Sequence, residues 1–158
     1  MIADYINVGL LLTAVIAIAM TYFQVRSSAR TERASFLKDL YSTLTSDPDI
    51  SRAYYLVEYG QFTYGPDFHG SELEPRIDRL LSFADLVCEL HDQGIVTARE
   101  MEFFRYRFVR LASDPNIRAY LDFLTDSYKT VGVRKEPFHS FTAYGRKILN
   151  EISSSGAA

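Results

Sequence analysis

Two residues in the last quarter of the chain have the types and spacing for phosphate chemistry. In Arg134-Lys135-Glu136-Pro137-Phe138-His139 an arginine and a histidine are separated by four residues. An imidazole near neutrality moves protons, and a guanidinium stabilises the charge of a phosphorane. The plainer reading is a solvated loop whose proline introduces the last helix. The same segment sets Glu136 and His139 at the i, i+3 spacing of carboxylate-bridged metal sites. Such sites need two of these pairs plus two further inward carboxylates, and the sequence holds no second copy. Glu89, His91 and Asp92 do no better, because on a helix Glu89 and His91 point about 200° apart. No metal and no cofactor is expected, and His91 reads as a helix-edge residue near a carboxyl end, where a partly cationic ring is favoured.

Phe103-Phe104-Arg105-Tyr106-Arg107-Phe108-Val109-Arg110 interleaves arginine with aromatic residues. Such a segment could stack bases and neutralise phosphates, or face anionic lipid headgroups. On a helix the two sets largely separate, which predicts an apolar core face flanked by arginines that lay their stems over it. The formal net charge of -3 lacks the basic excess that phosphate-backbone binding needs, so nucleic acid is disfavoured as a partner. No glycine-rich phosphate loop, nucleophile elbow or zinc spacing occurs. The single cysteine, Cys88, lies in Phe83-Ala84-Asp85-Leu86-Val87-Cys88 and is expected to pack as a small apolar side chain.

The elements that position these residues begin at a membrane segment. From Tyr5 to Val25 run 21 residues without a charge, enough helix to cross a bilayer of about 30 Å. Tyr5 at one end and Tyr22 and Phe23 at the other stand where aromatic rings prefer the headgroup boundary. Asp4 precedes the run, whereas Arg26, Arg30, Arg33 and Lys38 follow it. The positive-inside rule then puts the amino terminus outside and the rest in the cytoplasm. The competing reading is a signal peptide cleaved after Ala17-Ile18-Ala19, although the start Met-Ile-Ala-Asp lacks the basic segment such peptides carry. Gly9, Thr13 and Ala17 form a stripe of small residues that would favour helix association in a membrane.

Beyond the arginine collar the helical pattern continues through Phe36, Leu37, Leu40, Tyr41 and Leu44 without glycine or proline. This predicts one rod of about 60 Å that ends at Ser46-Asp47-Pro48, a cap and first-turn proline for a second helix ending at Gly60. Residues 61–70 read as a long loop. A third helix carries Leu73, Ile77, Leu80, Leu81, Ala84, Val87, Cys88 and His91 on one face and Asp78, Ser82, Asp85, Glu89 and Asp92 on the other. Thr97-Ala98-Arg99-Glu100 is a capping box opening a fourth helix with Met101, Phe104, Phe108 and Leu111. Ser113-Asp114-Pro115 opens a fifth, and a last helix starts near Pro137. The segments Leu44 to Tyr54 and Leu111 to Tyr120 resemble each other with one inserted residue, which two independent helix starts explain better than duplication does. The chain is therefore expected to be all-α. A transmembrane segment (1–25) would lead into a cytosolic bundle of about five helices (26–152) and a disordered tail (153–158).

The arginine-histidine spacing of Arg134 and His139 resembles the active site of HEPN ribonucleases, in which the pair, joined across a dimer, acts on the RNA 2'-hydroxyl and scissile phosphate. Lys135 and Pro137 depart from that family's pattern. Phe83-Ala84-Asp85-Leu86-Val87, Gly94-Ile95-Val96-Thr97 and Phe103-Phe104, with an amino-terminal span and an Asp-Pro helix start, resemble a group of uncharacterised bacterial membrane proteins with a short helical cytosolic domain. The layout is also similar to membrane accessory proteins of RNA-targeting CRISPR systems, which join one membrane helix to a HEPN-like bundle and form ring-shaped pores. The expected function is a non-enzymatic interaction or scaffold module of the bacterial inner membrane. Its partners would be the lipid bilayer and either further copies of itself or another membrane protein. The alternative is an antiviral defence effector, a HEPN-like ribonuclease or an oligomeric pore.

Overall fold

The computed structural model describes the backbone of residues 2–155 and the side chains of residues 18, 20–28 and 31–154. Among the described residues the chain is all-helical, with six α-helices and no strand. They are α1 (Ile2–Ser46), α2 (Pro48–Glu58), α3 (Glu74–Asp92), α4 (Ala98–Ser113), α5 (Pro115–Thr130) and α6 (His139–Ser155), with a short 3-10 turn at Pro66–Phe68. The chain divides into two compact units, Met1–Asp39 and Leu40–Ala158.

In the first unit α1 is unbroken. Among the described residues no helix is long and apolar enough to cross a membrane. Most of the uncharged run, Tyr5 to Ala17, lies outside the described side chains, as do Arg30 and the whole small-residue stripe. Of the rest, Ile18, Met20, Tyr22, Phe23 and Val25 stand exposed along the helix. The Tyr22 and Phe23 rings meet edge to face, and the Arg26 guanidinium reaches the Tyr22 hydroxyl at 3.5 Å.

The second unit holds the core. Its helix starts follow the local chemistry. Asp47 and Asp114 each stand in extended conformation before a first-turn proline, and each carboxylate accepts two backbone N–H groups: Asp49 and Ile50 for Asp47, Asn116 and Ile117 for Asp114. The Thr97 capping box forms with both of its arms. Gly60 and Gly94 take left-handed φ values just past α2 and α3, the conformation that ends a helix at little cost for glycine. At the carboxyl end α6 continues through Ser155, so the serines read as a tail remain helical, and residues 156–158 lie outside the described ones.

Helix α3 is central, packing on α2, α4 and α6. Ile77, Leu80, Leu81, Ala84, Val87 and Cys88 are all buried, as their period requires. Burial also pushes the Cys88 thiol far up, which keeps it protonated. Around α3 close Val57 of α2, Phe104, Phe108 and Leu111 of α4, and Phe141 of α6, with Leu40 and Leu44 from the end of α1. The segment read as a loop without period is anchored by two plugs, Phe62 and Phe68, whose rings meet edge to face at 5.5 Å in the core.

The polar face of α3 differs from the expectation. Ser82 and Asp92 are exposed, but Asp78, Asp85 and Glu89 are half-buried and serve as acceptors for other helices. The Tyr120 hydroxyl of α5 donates to Asp78 at 2.7 Å. At the start of α6, the Phe141 N–H donates to Asp85 at 2.9 Å and the Ser140 hydroxyl to Glu89 at 2.8 Å. One orphan amide of a helix start is thus satisfied from a neighbouring helix instead of a local cap. The chain reaches that position through Phe138, a non-glycine residue at φ 50, whose strain of order 1–3 kcal/mol needs such surroundings to hold it. Further along α6, Gly145 faces α4 so closely that a Cβ there would meet the Ala112 Cβ at 2.8 Å.

Two stability outcomes follow. Asp85→Ala leaves the Phe141 amide without its acceptor and should cost about 1–3 kcal/mol in chemical denaturation, whereas Asp85→Asn, which keeps an acceptor oxygen, should cost less. Gly145→Ala should cost about 1–3 kcal/mol through separation of α4 and α6, read as a lowered denaturation midpoint with an unchanged slope.

Candidate functional site

The residues picked for phosphate chemistry are both on the surface. Arg134 is exposed in the turn after α5 and makes no ion pair or hydrogen bond among the described residues. His139 is exposed at the first position of α6. Its charge acts, together with that of Lys135, on the Glu89 carboxylate. That carboxylate is held below its ordinary range mainly by the Ser140 hydroxyl and then by Gln93. Glu136 pairs with Arg146 at 3.4 Å. The intervening Pro137 is buried, so the segment is pinned at its centre while its charged ends face solvent. His91 sits in the last turn of α3 with Nδ1 2.8 Å from the Val96 carbonyl. A carbonyl only accepts, so that nitrogen carries the proton. Among the described residues no three His, Cys, Asp or Glu side chains are grouped to hold a metal ion.

A polar relay does occur, at the end of the long loop. Glu74, at the start of α3, accepts from His69 Nδ1 at 2.9 Å and from the Gly70 N–H at 2.6 Å. The other ring nitrogen, Nε2, lies 3.1 Å from the Tyr64 hydroxyl. Carboxylate, imidazole and hydroxyl in series is the order that activates a nucleophile. Here, however, the Tyr64 phenol is pushed up by burial and by the Glu74 charge, away from the phenolate. The Tyr64 N–H donates to Asn116 of α5, and the His69 ring lies 4.3 Å from that of Phe123. The relay therefore fastens the loop between α3 and α5. A separate trough of about 560 Å³ opens between α5 and α6 over Ala112, Leu121 and Gly145, with a rim of mixed charge in Arg118, Asp122 and Arg146.

The most distinctive surface lies across α2 and α4. In the interleaved segment Phe104 and Phe108 are in the core, as their period requires, but Phe103 and Tyr106 are exposed beside the arginines. The expected separation of aromatics from cations is therefore incomplete. Arg105 pairs with Glu102 at 3.0 Å. The Arg107 guanidinium lies 5.4 Å from the ring centres of both Tyr41 and Tyr54, a cation between two π faces. Arg110 donates to the Glu58 carbonyl at 2.8 Å, and the Tyr106 hydroxyl to the Glu58 carboxylate at 3.1 Å. At the end of α2 the ring of Tyr55 stacks on that of the C-cap residue Tyr59 at 5.8 Å and 13°. The Tyr54 phenol is buried and pushed well up, by that burial and by the Glu58 charge.

Exposures are 67% for Tyr59, 65% for Phe103, 63% for Tyr106, 45% for Tyr55 and 43% for Tyr41. At roughly 200 Å² per aromatic side chain these five present on the order of 600 Å², the upper end of what a lone monomer exposes in one patch. Tyr55 and Tyr59 were not among the residues picked from the sequence. Their signal was present all the same: both fall off the buried stripe of Ile50, Ala53, Tyr54 and Val57.

No protein-family model, no curated protein and no solved structure matches the chain.

The relay sets a pH dependence. Glu74 is held below its ordinary range, first by the Gly70 N–H and then by His69. Its stabilisation of the loop is present above that ordinary range and is lost as pH falls through the lowered value. Hydrogen exchange at neutral pH should therefore show amides of residues 62–71 less protected in Glu74→Gln than in the parent. Acidification below the glutamate range should erase the difference.

Proposed function

We propose that this chain is a membrane-tethered, non-enzymatic helical interaction module. It is anchored in the bacterial cytoplasmic membrane by α1, with the Leu40–Ala158 unit in the cytoplasm. The observation that carries the reading is the aromatic and arginine face of α2 and α4. Tyrosine, phenylalanine and arginine are the residues that protein interfaces concentrate and that carry most of their binding energy. Lysine, which interfaces disfavour, has no place on the face among Arg52, Tyr55, Tyr59, Phe103, Tyr106 and Arg110.

The tether rests on the uncharged run Tyr5 to Val25 and the basic residues Arg26, Arg30, Arg33 and Lys38 that follow it. It gains support from Ile18, Met20, Phe23 and Val25, apolar side chains that stand uncovered on α1 and need a non-aqueous surrounding or a partner. Gly9, Thr13 and Ala17 would let membrane helices approach one another.

Photo-crosslinking in intact cells tests the reading. A photoreactive amino acid at position 59 or 103 should yield protein adducts, and one at Glu72, a fully solvated position away from the face, should not. Arg134→Ala and His139→Ala should leave the adducts unchanged. Ribonuclease activity of the purified chain that disappears in His139→Ala would overturn the non-enzymatic reading. Protease access to the Arg26 to Arg33 segment from outside intact cells would overturn the topology.

A further inference from the structure

The exposed residues of the face fall into two rows of identical spacing. Along α2 and its C-cap, Arg52, Tyr55 and Tyr59 stand at i, i+3 and i+7 and all three are exposed. On α4, Phe103, Tyr106 and Arg110 stand at the same i, i+3 and i+7, and all three are exposed. Each row keeps to one side of its helix and is about 10 Å long. Their order along the chain is inverted. The α2 row reads cation, aromatic, aromatic, and the α4 row aromatic, aromatic, cation. Laid side by side in the same direction, Arg52 meets Phe103, Tyr55 meets Tyr106, and Tyr59 meets Arg110. Every cation then finds a ring and no cation finds another.

We infer that this face pairs with the same face of a second copy, the α2 row of each molecule lying on the α4 row of the other. The inference rests on the interaction-module reading and names its partner. A two-fold contact requires a surface that complements itself, with residue i touching j and j touching i, and the matched rows meet that requirement twice. The chemistry that joins them already operates within the molecule, where Arg107 is held between the Tyr41 and Tyr54 rings. Guanidinium on aromatic needs no opposite charge, so a face carrying Arg52, Arg107 and Arg110 against one carboxylate, Glu58, can still pair with itself.

Arg52 gives the pairing its directional element. It is exposed and makes no ion pair or hydrogen bond among the described residues, so its guanidinium is available for the partner's Phe103. The area agrees as well. The four aromatic side chains of the two rows present on the order of 500 Å² on each molecule, about 1,000 Å² in all, the threshold for a specific interface. A membrane tether raises the local concentration of copies and lets so modest an interface operate.

The test is sedimentation velocity of the full chain in a non-ionic detergent over a concentration series, with circular dichroism melts as the check on folding. The parent should sediment as a dimer at the upper concentrations. Phe103→Lys sets a cation against Arg52 and Tyr59→Lys sets one against Arg110, so each should weaken the dimer by about tenfold or more with melting unchanged. The double variant Arg52→Glu with Phe103→Lys replaces ring and cation by an ion pair across the contact and should restore the dimer. A parent that stays monomeric, single variants that dimerise like the parent, or a double variant no better than Phe103→Lys would each overturn the pairing. If the parent is monomeric while crosslinks from position 59 join it to a different protein, the interaction-module reading stands and only the self-pairing falls. Absence of any adduct from the face removes the reading itself. Loss of the dimer in Gly9→Leu with Thr13→Leu, but not in Phe103→Lys, would place association on the membrane helix and also overturn the pairing.

Discussion

The fold of the larger unit depends on how α6 is started. A helix beginning with no residue of its own to cap it leaves amides without acceptors. Here the acceptor comes from α3, where Asp85 takes the Phe141 amide and Glu89 takes the Ser140 hydroxyl. The two carboxylates are one helical turn apart, so a single face of α3 addresses two successive residues of α6. That contact fixes where α6 begins and how it is rotated. Rotation then brings Phe141 into the core beside Phe108 and Gly145 against Ala112. The left-handed turn at Phe138 is the local consequence, since the chain must change direction abruptly between buried Pro137 and the capped residues.

The same polar face organises the amino-terminal half of α3 as well. Asp78, two turns before Asp85, accepts from Tyr120 of α5, and burial together with that bond pushes the phenol far up and keeps it a donor. Tyr120 packs edge to face on Phe68 at 4.9 Å, which ties the long loop to α5 through a ring contact. Glu74 at the head of α3 closes the loop from the other direction through His69 and Gly70. One helix therefore supplies an apolar face for the core and four carboxylates that lock the pieces connected by irregular chain. Uncompensated, those carboxylates would be costly where they are half-buried. Each has a donor.

Legibility in the sequence follows from range. Helix starts at Asp47, Thr97 and Asp114 could be read because their determinants lie within four residues, and the buried stripe of α3 because its period of 3.6 is a local property. The roles of Asp78, Asp85 and Glu89 could not be read, because a carboxylate facing solvent and one facing a neighbouring helix have the same position on the wheel. What separates them is the approach of α5 and α6, 42 to 56 residues away. Phe103 and Tyr106 illustrate the converse. Aromatic identity argued for the core, while position on the α4 wheel, away from Phe104 and Phe108, argued for the surface, and position prevailed. Arg134 and His139 were legible only as a spacing. Chemistry requires convergence with other groups, and the surroundings of His139 are Lys135 and Glu89.

Large aromatic side chains at solvent carry a free-energy cost that rises with area, at about 25 cal/mol per Å². A surface on the order of 600 Å² therefore represents a driving force of roughly 15 kcal/mol before any cost of association. Much of that is offset by lost rigid-body freedom when two molecules meet in solution. In the proposed membrane-tethered pair, confinement of both copies to one bilayer would remove part of the offset in advance. The stacked Tyr55 and Tyr59 rings and the bonds holding Tyr106 and Arg110 to Glu58 remove another part, because side chains already fixed lose little rotamer freedom on contact. An exposed aromatic surface that is rigid before it is covered has the properties of a preformed interface. A patch of mobile side chains with the same area would bind more weakly.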